Sequence, residues 1–407
     1  MGDALMRLTV RFECGVTVEL PRRLRGDRGR SDGMDRAGRY WGMSLSVGQR
    51  RIRALRLVAQ RIAMPAAAGP ADIVRWMLAL QAQDFAGVKW SVGLRGADPT
   101  EAAVEAALEA GGIVRSWPMR GTLHLVAAED LAWMLELTTP RSVASVGARR
   151  AYLGIADLDV ERARDLVVAE LSGGRTMRRD MLLAAVRAGG VSTHGQRGYH
   201  LLWYLAQTGT LVLGPAAGRQ QTFALLDEWV PHARRLEDDE ALGELARRYF
   251  AGHGPATARD LGRWSGLTLG QVRKGIHLAG SSLARLEFDG ITYHLAPETL
   301  DAVPHPTDRV HLLPGFDEYL LGYQDRSAAL APEHSQAIVP GGNGVFRPTI
   351  VVDGEVVGTW RRHSKARHVV VEVVPFAALS RQAQAGLRQA VDAYGAFIGQ
   401  PVLLGEG

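Results

Sequence analysis

From residue 46 onwards, the apolar positions alternate between helix-spaced and strand-spaced segments. Ile52, Leu55, Val58, Ala59 and Ile62 recur at the intervals of one buried helix face, and Pro65 with Gly69-Pro70 stops that run. Asp72 opens a second helix with Ile73, Met77 and Leu80 inward. The spacing predicts two more helices over 84–94 and 100–110, the last ended by Gly111-Gly112. Residues 113–126 are richer in strand formers and hold Pro118 and Gly121, which predicts a short hairpin or wing.

The same order returns twice. A helix over 177–188 closed by Gly189-Gly190, a helix over 193–207, and strands over 210–213 and 221–225 form a second unit. Helices over 240–250, 257–265 and 268–279, with Thr257 and Thr268 as N-caps, lead into strands 282–288 and 291–295 around an Asp289-Gly290 turn. This grammar predicts an α+β fold of tandem winged-helix (helix-turn-helix) units with boundaries 46–140, 141–235 and 236–305. Strands over 310–313, 349–360 and 368–374, a flexible Pro340–Gly344 loop and an amphipathic helix over 380–397 predict a separate, β-rich C-terminal domain, 306–407. Residues 1–45 mix Arg, Gly and Asp without a sustained period and are expected to be a disordered N-terminal extension or an over-long start.

Charge narrows the picture only locally. The chain carries +5 net, but +3 of that lies in residues 1–42, so any nucleic-acid footprint must be confined to particular surfaces. Three of the 48 basic residues are lysines, which reflects a GC-rich coding sequence more simply than a demand for guanidinium groups. Residues 175–200 gather Arg175, Arg178, Arg179, Arg187 and Arg197 against Asp180 alone. On two helices of a helix-turn-helix they would neutralise phosphates; the plain alternative is a solvated face. No run reaches the ~18 apolar residues of a membrane helix, and no secretory leader is evident, so a cytoplasmic protein is expected. The single cysteine, Cys14, excludes an intramolecular disulfide and a cysteine-based zinc site. His194 and His200 have no third ligand at a usual spacing, and neither a phosphate-binding loop nor a dinucleotide fingerprint is present, so no metal and no cofactor are implied.

Three short motifs remain: Leu80-Gln-Ala-Gln83, Trp117-x-Met-Arg-Gly-Thr-Leu-His124, and Leu313-Pro-Gly-Phe-Asp-Glu-Tyr-Leu320 followed by Asp325-Arg326. In this order, the sequence from residue 46 to the C-terminus resembles the AlkZ-type winged-helix DNA glycosylases. The resemblance implies that Gln81 and Gln83 form the Gln-x-Gln pair that hydrolyses the N-glycosidic bond of alkylated purines in a channel between winged helices. The Gln-x-Gln form points toward the crosslink-unhooking branch rather than the Gln-x-Asp branch.

A neutral amide is no general base, but an N7-alkylated guanine already carries positive charge and leaves without a proton. Holding water and placing amide oxygens near the developing oxocarbenium ion then suffices, with Gln81 assigned to the water and Gln83 to the cation. The only lysine near the motif, Lys89, lies on a predicted helix, so monofunctional hydrolysis is expected over strand cleavage through an amine. Arg120, His124, Arg175, Arg178, Arg179 and Arg197 are the DNA-contact candidates, with Trp117 and Tyr323 as further groove-lining candidates. Asp317 and Asp325 are secondary catalytic candidates, the alternative being a structural pairing with Arg326 or another arginine. The Asp353-Gly354 turn either probes the duplex or packs at the sheet edge. The expected partner is double-stranded DNA carrying alkylated purines, met by a monomer. The activity this implies is base excision repair, extending to interstrand crosslinks and self-resistance to a DNA-alkylating natural product. The rival reading is a non-catalytic winged-helix DNA-binding protein or transcriptional regulator.

Overall fold

The computed structural model describes residues 8–12, 17–20, 47–218, 220–302 and 309–405. Helices Val47–Ala59, Pro70–Met77, Phe85–Gly93 and Glu101–Glu109 stand where the apolar spacing predicts them. Asp84 and Thr100 cap the last two, each side chain accepting a main-chain N–H three residues on, at 3.0 and 3.1 Å. The helix predicted from 193 starts only at Arg197, because Gly195 takes φ +60°, outside the helical region. Likewise, Met177-Arg178 pairs as a short strand before the helix Arg179–Ala188 begins. Helices Leu131–Thr138, Pro140–Ser145, Gly147–Tyr152 and Asp157–Leu171 fall where the pattern predicts nothing. The first of them is buried on nearly every side and so has no one-sided apolar stripe to read.

The result is a mixed helix and sheet fold with three sheets among the described residues. The hairpin Ile113–Met119/Thr122–Ala127 and the strands Leu211–Leu213 and Thr222–Leu225 join through Arg115 opposite Leu213. With Leu80–Gln81 at one edge and Met177–Arg178 at the other, they make one six-stranded sheet rather than separate wings. The helices Asp238–His253, Ala258–Ser265 and Leu269–Ala279 precede the hairpin Ala284–Phe288/Ile291–Leu295 in the expected order. Against that hairpin lie two strands, Leu8–Phe12 and Thr17–Leu20, where a disordered extension was expected. The rest of that extension lies outside the described residues.

The C-terminal sheet runs Val310–Leu313, Thr349–Val352, Glu355–Ser364, Val369–Pro375, Val402–Leu404, with only the last pair parallel. Its core is continuous with the first helices: Leu312, Trp360, Val371, Tyr394 and Phe397 pack with Ile73, Met77, Leu80 and Trp90. Trp90 donates its indole N–H to the Leu312 carbonyl at 2.7 Å and meets Tyr394 edge-on at 5.1 Å. Each such fully buried side chain contributes about 1.5–3 kcal/mol. The docking therefore fixes residues 80–94 against the C-terminal half of the chain. No helix among the described residues is long and apolar enough to cross a membrane.

Candidate active site

The helix Pro70–Met77 stops at Leu78, which turns the chain at φ +65° into an extended run. Leu80 and Gln81 then pair with Leu125 and His124, and the Ala82 N–H donates to the Leu123 carbonyl at 2.7 Å. Extended geometry sends alternate side chains to opposite sides, so Gln81 and Gln83 share a face while Ala82 turns inward, fully buried. Asp84 starts the next helix immediately, which leaves the pair no freedom to slide.

Gln81 Nε2 donates to Gln83 Oε1 at 2.7 Å, so Gln81 Oε1 remains as an acceptor. Gln81 is nearly buried and Gln83 is exposed, and both line a cleft of about 600 Å³ with Arg120, Thr122, Arg263 and the loop 343–346. Two other lining residues, Arg120 and Phe316, have left-handed φ of +53° and +61°. Leu78, just upstream, is a third; the other left-handed non-glycine residues among those described, Arg61, Asp289 and Asp353, lie outside the cleft lining.

The charges around the pair are fixed by burial. Arg120 Nη2 lies 3.1 Å from His124 Nε2, and His124 Nδ1 lies 2.9 Å from the Thr122 carbonyl. A carbonyl only accepts and a guanidinium only donates, so His124 is the neutral Nδ1–H tautomer. Burial, with the neighbouring Arg120 cation, pushes its pKa down to about 3. His124 is fully buried and therefore steadies Arg120 rather than touching DNA. Glu318, also fully buried, accepts the Gln81 N–H at 3.2 Å on Oε1 and the Trp264 indole N–H at 2.8 Å on Oε2. His253 Nε2 lies 3.4 Å from the same Oε2. Burial alone would raise the Glu318 pKa, but the His253 ring and the Arg120 guanidinium hold it at about 2. Arg115 Nε and Nη2 both donate to the Ala82 carbonyl, at 3.1 and 2.7 Å.

The other candidates fall into place around this centre. Asp317 is buried and pairs with Arg95, not Arg326; its oxygens also take Ser91 Oγ at 2.6 Å and the Tyr319 N–H at 2.9 Å. Asp325 is exposed and accepts the Ser327 N–H. Neither lines the cleft. Lys89 is bound by Glu101 and Glu105, each at 2.6 Å. Burial alone would lower its pKa, but the two carboxylates outweigh it and raise the pKa, so it remains an ammonium and no nucleophile.

Among the basic residues, Arg179 is exposed, Arg178 faces Asp180 at 3.3 Å, and Arg175 donates to the Ala169 and Ser172 carbonyls. Arg197 is taken up by the Leu153, Gly154 and Ser192 carbonyls and by Asp159. Trp117 and Tyr323 are core residues, and His200 stacks on Trp203. No group of three metal-ligating side chains occurs among the described residues. The Asp353-Gly354 turn packs inward, Tyr319 donating to the Gly354 carbonyl at 2.6 Å. A basic run missed in the sequence, Arg361-Arg362-His363 with Lys365, Arg367 and His368, forms a hairpin tip. Arg362 lies 3.6 Å from Asp84 at the cleft. Four cations in eight residues without an acid are a signal that a charge window would have found.

A family model described as DNA glycosylase AlkZ-like matches residues 74–397, which include both glutamines, Arg120 and Glu318. The chain belongs to the AlkZ-like DNA glycosylase family. It is thus an enzyme of the DNA glycosylase class. The interstrand DNA cross-link repair glycosylase of Streptomyces sahachiroi is 28% identical over 331 residues, 78% of this chain and 88% of that protein. The solved structure of Streptomyces sahachiroi DNA glycosylase AlkZ matches with a TM-score of 0.73 at 26% identity, over 88% of this chain and 99% of that one. Like its AlkZ-like relatives, the chain combines helices and sheets in one fold.

Proposed function

We propose that this AlkZ-like enzyme is a monofunctional glycosylase that hydrolyses the N-glycosidic bond of N7-alkylated guanine in duplex DNA, including guanines joined in interstrand crosslinks. The observation that carries the reading is the Gln81–Gln83 amide pair at an open cleft, with one amide oxygen unspent. N7-alkylation places a positive charge on the base, so the C1′–N9 bond breaks with its electron pair and a neutral base departs. The sugar is left as an oxocarbenium ion. Gln81 Oε1 accepts a hydrogen bond from water and aims its oxygen at C1′; the new C1′–O bond forms and the water's second proton passes to solvent. Gln83 lies beside the same centre and supports the cation with its amide dipole. Lys89, the lysine nearest the motif in the sequence, is held protonated by two carboxylates and supplies no attacking amine.

Duplex engagement falls to groups around the cleft. Arg120, braced by His124, and Arg263 line it, while the basic hairpin tip reaches its rim through Arg362. We read the recurring helices and hairpins as tandem winged helices, a reading supported by the order of elements over 238–295. Arg175, Arg178 and Arg179 add an outlying phosphate-facing surface. Crosslink unhooking is supported by the likeness to the interstrand DNA cross-link repair glycosylase of Streptomyces sahachiroi and by the cleft of about 600 Å³ at the glutamines. Family membership disfavours a non-catalytic regulator.

The test uses three duplexes, each with one N7-methylguanine, N3-methyladenine or uracil, and identifies the released base by mass. Free N7-methylguanine should appear, with the strand intact until alkali is added. Uracil release, or strand scission without alkali, would contradict the proposal.

A further inference from the structure

Two oppositely charged side chains hold the main chain of Gln81-Ala82-Gln83 from behind. Glu318 accepts the Gln81 N–H, and Arg115 places two donors on the Ala82 carbonyl. Neither lines the cleft that holds the glutamines, and Glu318 has no exposed surface at all. Arg115 approaches from a separate cleft of about 470 Å³ beside Trp117 and Phe223, and its Nη1 rests on Gln221 Oε1.

We propose that Glu318 is a positioning residue for glycosidic hydrolysis, fixing the Gln81 amide through its main chain, with Arg115 as its counterpart on Ala82. The proposal rests on the reading that the two glutamines carry the reaction. Its chemical core is that Glu318 meets donors at both ends: the Gln81 N–H at Oε1 and the Trp264 indole N–H at Oε2. Only a carboxylate accepts at both oxygens; a glutamine of the same shape must turn its NH₂ toward one of those two donors. Keeping an anion with no solvent contact is costly, so a merely space-filling side chain would be neutral here. The segments joined are 237 residues apart in the chain, and the contact holds the strand bearing Gln81 against the turn at Asp317–Tyr319. Depression of the Glu318 pKa to about 2 keeps it an acceptor throughout the working pH range.

The test measures single-turnover excision of N7-methylguanine and Kd for the lesion duplex in wild type, Gln81→Ala, Glu318→Gln, Glu318→Gln/Trp264→Phe and Arg115→Met. Glu318→Gln should lower the rate on the order of 10- to 100-fold while Kd stays within about twofold, because geometry is lost without a DNA contact. Trp264→Phe in that background should recover much of the rate, since with the indole donor gone the glutamine can turn its oxygen to Gln81 and its NH₂ toward His253 Nε2, 3.4 Å from Oε2, which accepts in the Nδ1–H tautomer. A merely structural role would make the double variant worse. A Glu318→Gln rate within about twofold of wild type, or a double variant slower than the single, overturns the proposal. If Glu318→Gln does not fold, Arg115→Met decides it: a rate loss of about fivefold or more at unchanged Kd supports the clamp, and a wild-type rate overturns it. Gln81→Ala cleaving as fast as wild type would instead overturn the underlying reading, which keeps the two failures apart.

Discussion

A primary amide neither gains nor loses a proton near neutral pH, so the proposed active centre, built on two of them, depends on where their oxygens point. The residues around Gln81 and Gln83 are correspondingly fixed in charge. His124 is neutral because burial takes its pKa to about 3, and Glu318 is ionised because its partners hold it at about 2. The single-turnover excision rate should therefore be flat from about pH 5 to 8. A tenfold rise or fall across that range, measured with the duplex saturated by enzyme, would mean that another group titrates in the mechanism. Stability gives the complementary sign. The folded Glu318 pKa lies below its ordinary 4.5, so its contribution is full above pH 4.5 and disappears as pH falls toward 2. Acid unfolding of Glu318→Gln, followed by circular dichroism, should decline less steeply over that window than wild type; an identical slope would contradict the linkage. At this scale, the motif made Gln81 and Gln83 legible as a candidate pair, and Asp317 was legible as a carboxylate with a structural alternative. Its partner Arg95 was not, nor was the bond from Gln81 to Glu318, because both join segments more than 200 residues apart.

Elements deliver those residues to one place. The most consequential junction is the Phe85–Gly93 helix against the Asp317–Tyr319 turn, where the Arg95 guanidinium gives two bonds to a carboxylate with no solvent on either group's far side. Arg95→Met leaves the Asp317 charge buried and unpaired and should cost about 3–5 kcal/mol of stability by urea unfolding. A loss under about 1 kcal/mol would show that the pair is replaceable by packing. Most helices were legible from apolar spacing, and their starts from Asp84, Thr100, Thr257 and Thr268, whose side chains each accept an N–H in the first turn. The edge-to-edge joining of two hairpins through Arg115 and Leu213 was not, since the pairing is non-local and a single residue pair carries it. The helix Leu131–Thr138 escaped for the opposite reason, being buried on nearly every side, with only Glu136 exposed.

For the whole molecule, the net charge of +5 understates how the cations are placed. Arg120, Arg263 and the basic tip around Arg362 stand at the cleft, whereas Arg197 is consumed by carbonyls and Asp159. Removing Arg120 should weaken duplex binding and reduce the slope of log Kd against log salt by about one. Removing Arg197 should leave that slope unchanged and lower stability instead. Fluorescence anisotropy over a salt series checks both, and a loss of slope confined to Arg197→Ala would reverse the assignment. The continuous core from Ile73 to Phe397 means that the C-terminal sheet is part of the scaffold that aims the cleft. That continuity was hidden in the sequence because hydrophobic spacing names a buried face without naming what covers it.

The proposed mechanism has two neutral amides carry the hydrolysis. It is tested most directly by incubating wild type, Gln81→Ala and Gln83→Ala with a duplex bearing one N7-methylguanine and following release of the free base under single-turnover conditions. Wild type should release the base, with the alanine variants slower by on the order of 10²- to 10³-fold. Release by Gln81→Ala and Gln83→Ala at the wild-type rate would show that the hydrolysis does not depend on the two amides.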